Sequence, residues 1–137
     1  MNQIKNGTAY ATRLRNIADI LVQRLTAEFK DEIHAVVLYG SVARGEATTE
    51  SDVNVLVLAN SALEARIDIH NLSSDIDLDN EVFTQLVLMS TKEFEDQVNM
   101  RSWFSMNLVR EGVVLYDDGA FGGIRQRVAQ TLTGIPR

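Results

Sequence analysis

Gly40-Ser41 ends a short apolar run, and after ten intervening residues come Asp52, Val53 and Asn54. A glycine and a serine directly after a strand let backbone amides approach phosphate oxygens, and the serine hydroxyl adds one more donor. Residues i and i+2 of a strand share a face, roughly 7 Å apart along the chain. Asp52 and residue 54 therefore look onto one cleft, while Val53 turns into the core. Two acidic groups at those positions would hold a pair of magnesium ions against a triphosphate. A third carboxylate on a neighbouring strand would polarise an attacking hydroxyl. Here the second position is an amide, so the site reads as a phosphate cradle beside a depleted metal centre.

The elements that must position these residues follow from apolar spacing. Tyr10, Leu14, Ile17, Ala18, Leu21, Val22, Leu25 and Phe29 recur at three- and four-residue intervals, one face of a helix, with Thr8 as its cap. Residues 33–39 read as a buried strand, Ser41–Gly45 as a short helix or turn, and 53–58 as a second strand. Residues 61–73 read as helical, Asp75–Glu81 as an acidic loop, and Val82–Met89 as a third strand. Ser90-Thr91-Lys92-Glu93 has the spacing of a capping box. A helix over Val98–Val109, ended near Gly112, a short strand over Val113–Tyr116 and a helix over Ile124–Leu132 complete the pattern. The class is α/β (α+β): a small mixed sheet of about three to four strands flanked by helices.

The 137 residues fit a single domain with its own core. Apolar residues make up 45% and charged residues 23%, and there is no cysteine, which excludes disulfides and thiolate metal sites. No apolar stretch approaches a membrane span and no signal-like core opens the chain, so a cytoplasmic location is expected. The net charge of -6 argues against a broad nucleic-acid surface, which needs clustered cations.

Gly40-Ser41-Val42-Ala43-Arg44-Gly45-Glu46 followed by Ser51-Asp52-Val53-Asn54 resembles the nucleotidyltransferase superfamily that includes DNA polymerase β. The chain looks closest to its minimal members, small antitoxins often paired with a HEPN-domain toxin. That signature is Gly-Ser, ten residues, then Asp-x-Asp. The spacing holds, and Asp52 stands at the first aspartate and Asn54 at the second. Gln85 occupies the place of the third carboxylate in a segment, Gln85 to Phe94, similar to the family's third strand and following helix. The resemblance implies a nucleotidyltransferase fold, a nucleoside triphosphate substrate and magnesium. It makes Asp52 the catalytic residue and main metal ligand, Gly40, Ser41 and Arg44 the nucleotide-binding residues, and Asn54 and Gln85 weak ligands. Each amide removes a full negative charge from a site meant for divalent cations, so transfer to a hydroxyl is expected to be attenuated.

Bland readings stand beside these. Arg44 is either a phosphate contact or a surface charge, and Asn54 and Gln85 are either residual ligands or polar cleft residues. Ser74-Asp75-Ile76-Asp77-Leu78 imitates the missing Asp-x-Asp, but Leu63-Glu64 stands where Gly-Ser should precede it, and a solvated loop is expected. Glu81 shares a strand face with Gln85 yet lies about 13 Å away by strand rise, too far to replace it. His34 and His70 read as structural. Trp103, Phe104, Met106 and Leu108 read as core, with part of their surface able to meet a partner helix. The alternative to an enzyme is a non-catalytic regulator that binds a helical HEPN-type toxin or senses nucleotide; a homo-oligomer also remains open.

Overall fold

A computed structural model describes residues 3–48, 52–60 and 63–134. Ser51 of the motif and the first residues of the expected 61–73 helix lie outside the described residues. The element order is α1 (Gln3–Phe29), a single 3-10 turn, β1 (Ile33–Tyr39), β2 (Val53–Ala59), α2 (Leu63–Asn80), β3 (Thr84–Met89), α3 (Thr91–Asn99), α4 (Trp103–Glu111), β4 (Val113–Asp117) and α5 (Ala120–Gly134). The strands form one mixed sheet in the order β3-β2-β1-β4. β1 runs antiparallel to β2 and β4, and β2 runs parallel to β3, as a crossover through α2 allows.

Helices cover both faces, which is why the central strands are almost continuously apolar. Val53, Val55 and Val57 face Leu14, Ile17, Leu21 and Leu25 of α1 and Ile69, Leu72 and Ile76 of α2. Leu56 and Leu58 face the other way, toward Phe94 of α3, Leu108 and Val109 of α4, and Phe121 and Ile124 of α5. Asn54 shares the parity of Leu56 and Leu58, so the site opens on the α3–α5 side.

Four expectations need correction. α1 is already helical from Gln3, so Thr8 lies within it and is not its cap; Gly7 weakens a helix without ending it. The acidic segment 75–81 is the last turn and end of α2 rather than a loop. Ile69, Leu72 and Ile76 keep one helix face buried, and the aspartates that suggested a loop are the solvated opposite face. Glu81 ends that helix with φ 54 and is not on a strand, since β3 begins only at Thr84. The helix expected over Val98–Val109 is two helices. α3 stops at Asn99, Arg101 turns with φ 54, and Ser102 restarts the chain by accepting the Ser105 amide at 3.1 Å. The capping box at Ser90 is present in full: its hydroxyl accepts from the Glu93 amide at 3.0 Å, and the Glu93 carboxylate accepts from the Ser90 amide at 2.8 Å.

Two polar clusters fix the end of the sheet away from the site. Asp117 accepts hydrogen bonds from the amides of Gly119 (2.9 Å), Phe121 (3.1 Å) and Gly122 (2.7 Å), closing the exposed start of α5. Replacing Asp117 by Ala is expected to cost about 1–2 kcal/mol, measured by chemical denaturation. His34 bridges β1, β2 and β4, with Nδ1 at 2.7 Å from an Asp118 oxygen and Nε2 at 2.8 Å from the Asn60 side-chain oxygen. The hydrogen bond to Asp118, and then that to Asn60, raise the His34 pKa. For Asp118, burial opposes ionisation, but the bonds from His34 and the Ala120 amide outweigh it and leave its pKa lowered. A raised histidine pKa gives stability that is full below the unfolded value near 6.5 and is lost as pH rises through the folded value. The melting temperature should therefore fall across that window, and His34→Gln should flatten the fall. Both side chains are partly exposed, so the effect is below about 1 kcal/mol.

Candidate functional site

The cradle is a reversal of the chain built on glycine. Gly40 leaves β1 with φ 81, and the next residues wind into one helical turn. Its amides are used internally: Arg44 donates to the Gly40 carbonyl (3.2 Å), Gly45 to Val42 (3.1 Å) and Glu46 to Ser41 (2.8 Å). Val42 and Ala47 are buried against α1 and α2 and pin the loop to the core. Gly40 lies close against Asn54: a Cβ there would stand 2.6 Å from Asn54 Nδ2, the end of that side chain, which would have to shift. The cradle and the second position of the motif are thus in direct apposition.

Pairing across the sheet sets the rest. Asn54 lies opposite Tyr39 on β1 and Gln85 on β3, so Tyr39, Asn54 and Gln85 form one row across three strands at the mouth of the cradle. Asp52 precedes β2 by one residue and is half-buried. The starts of β2 and β3 are tied together by the Val53 amide donating to the Phe83 carbonyl at 3.1 Å. Asp77 holds β3 in place, accepting from the Thr84 amide (2.9 Å) and hydroxyl (2.6 Å). The aspartate that imitated a ligand is a strand anchor one residue from Gln85.

The structure therefore gathers Gly40, Ser41, Asp52, Asn54 and Gln85 at one end of the sheet. Arg44 is turned toward carboxylates: its Nε donates to Glu46 at 2.8 Å and its Nη1 lies 3.6 Å from Glu111 at the end of α4. The bond to Glu46 raises its pKa. Tyr39 and Phe104 were not legible as site residues. They meet edge to face at 5.5 Å, and burial raises the Tyr39 pKa, which keeps its phenol neutral beside the amides. Only the position of Tyr39 immediately before Gly40 could have signalled it. His70 stays exposed at the outer edge of β3, in a cavity shared with Gln85 and Asp77.

The donor set is one carboxylate and two neutral amides. Among the described residues, no three His, Cys, Asp or Glu side chains cluster to hold a metal. Magnesium demands charged oxygen ligands or substrate phosphates, so these residues do not fit a pair of magnesium ions.

Comparison with known proteins matches this architecture. The family model described as Polymerase beta, Nucleotidyltransferase aligns with residues 22–119. MJ0604 of Methanocaldococcus jannaschii, provisionally named a protein adenylyltransferase, is 30% identical over 95 residues, 69% of this chain and 90% of that protein. MJ1305 of the same organism, named in the same way, is 41% identical over 66 residues, 48% of this chain, and this match spans only 45% of that protein's length. By fold alone, the chain is similar to a toxin–antitoxin crystal structure with AMP-PNP, at 19% identity and a TM-score of 0.52, covering 85% of this chain and 90% of that one. The matched span reaches from α1 through both motif strands to β4, and the chain belongs to the Polymerase beta nucleotidyltransferase family.

Proposed function

We propose that this domain binds a nucleoside triphosphate in the Gly40-Ser41 cradle and moves the nucleoside monophosphate to a hydroxyl at an attenuated rate. The observation that carries this is the row of Asn54 and Gln85 on adjacent strands, where the family signature has carboxylates. The Gly40-Ser41 turn is present, and the charge expected beside it at positions 54 and 85 is absent. In the reaction the acceptor oxygen bonds to the α-phosphorus, the bond to the pyrophosphate oxygen breaks, and the hydroxyl proton leaves the acceptor. A carboxylate at position 85 would take that proton, whereas the Gln85 amide cannot, so it passes to solvent. Asp52, one residue before β2, is the charged group beside that row and would hold a single magnesium ion, which would neutralise phosphate charge. The similarity to proteins named protein adenylyltransferases supports ATP as the donor and a protein side chain as the acceptor.

Transfer of α-labelled ATP with magnesium or manganese tests this. Slow transfer that Asp52→Ala abolishes is the expected result, and transfer indifferent to that change removes the site assignment.

A second reading is favoured by Trp103 and Met100, large apolar side chains that are 79% and 70% exposed at the α3–α4 joint. Such anchors are enriched at the centres of protein interfaces. In this reading the domain works by binding, as an antitoxin to a helical toxin of the HEPN type. Stable association with that partner should survive Asp52→Ala and be lost in Trp103→Ala.

A further inference from the structure

Helices α4 and α5 leave a groove between them on the side of the sheet away from α1 and α2. Two cavities of about 260 and 360 Å3 open there and share Met106 and Val128. The larger is mostly apolar and the smaller more polar; Arg101, Arg110, Arg125 and Arg127 line them, and no carboxylate does among the described residues. In a chain with 19 acidic and 13 basic residues, that local charge runs against the whole. Arg125 is spent on the carbonyls of Val109 and Gly112, and Arg127 pairs with Glu95. Arg101 and Arg110 are exposed at the rim.

The opposite side of the molecule carries the complement. On α2, Ile67, Asn71, Ser74 and Leu78 follow one another at helical spacing, and all four are exposed. Ile67 is 52% and Leu78 is 78% exposed, so this ridge is apolar at its two ends and polar at Asn71 and Ser74 between them. Asp68, Asp75 and Asp79 are exposed alongside that ridge. A ridge with apolar ends flanked by carboxylates complements in charge a partly apolar groove rimmed by arginines.

We propose that the α4/α5 groove receives the α2 ridge of a second copy of this chain. The two surfaces lie on opposite faces of one sheet, so no molecule can fill its own groove. The contact is heterologous, and copies join head to tail into a ring or an open chain. Because charged rims steer it, the association weakens as salt rises.

Sedimentation velocity on the full chain tests this. The mass at low salt should increase with protein concentration, and the increase should shrink at high salt. Two charge reversals, Asp75→Arg/Asp79→Arg on the ridge and Arg101→Glu/Arg110→Glu on the rim, should each give a monomer. An equimolar mixture of the two variants should associate again, because each ridge then meets an oppositely charged groove. That rescue also excludes misfolding as the cause of the monomers. A native chain that stays monomeric at every soluble concentration overturns the proposal. So does self-association that either reversal leaves intact, or a mixture that fails to associate.

Discussion

Asn54→Asp/Gln85→Asp is expected to raise metal-dependent nucleotide transfer by about 100-fold or more over the native chain. The backbone needed for the gain is in place. β2 and β3 run parallel with positions 54 and 85 in register, and the Asp77–Thr84 bonds fix the start of β3. A factor of 100 corresponds to about 2.7 kcal/mol of transition-state stabilisation, within what a bound metal ion contributes. The same substitutions set two carboxylates about 5 Å apart on neighbouring strands, where like charges repel. The double variant should therefore melt below the native protein in a chelator and recover when magnesium or manganese is added, while the native melting temperature stays nearly indifferent to metal. Thermal shift and labelled transfer read two consequences of one change. If neither transfer nor metal-dependent melting appears, residues 54 and 85 do not share the site that the sheet register places them in.

How much of this was legible in the sequence depends on the range of the forces involved. The strands were readable because β1 and β2 are buried on both faces and leave unbroken apolar runs such as Ala35–Leu38 and Val55–Leu58. The turn at Gly40-Ser41 was readable because a glycine that ends an apolar run marks a reversal of the chain. Errors fell where surface chemistry resembles loop chemistry. Asp75 and Asp79 suggested a loop because solvated aspartates look alike on a helix and in a coil. Ser102 split a continuous apolar pattern because a hydroxyl cap competes locally with helix continuation. Least readable were side-chain partners far apart in sequence. Glu111 pairing with Arg44, Phe104 against Tyr39, and Asp118 with Asn60 around His34 all depend on how α4, β2 and β4 meet β1. Arg44 shows the consequence most clearly. Its place in the motif suggests a phosphate contact, yet in the folded chain two carboxylates hold its guanidinium.

Gly40→Ala should destabilise the domain by about 2–3 kcal/mol and weaken nucleotide binding along with it. Two separate costs act at this position. The backbone sits at φ 81, where a side chain costs about 1–2 kcal/mol. The added methyl would also stand 2.6 Å from Asn54 Nδ2, so the Asn54 amide must swing aside, a smaller second cost. Gly45 separates the two effects, because its φ of 72 is similar but an added Cβ meets nothing within 4 Å. Gly45→Ala should thus carry the backbone cost alone, about 1–2 kcal/mol. Urea denaturation of both variants measures the difference. Asn54→Gly in the Gly40→Ala background should return the packing cost but leave the backbone cost, a non-additivity expected only of groups in contact. Equal losses for the two glycines, or an Asn54→Gly change that adds independently, would show that the cradle and position 54 do not touch. The spacing between the Gly40 turn and position 54 would then have to be set by some other pair of residues.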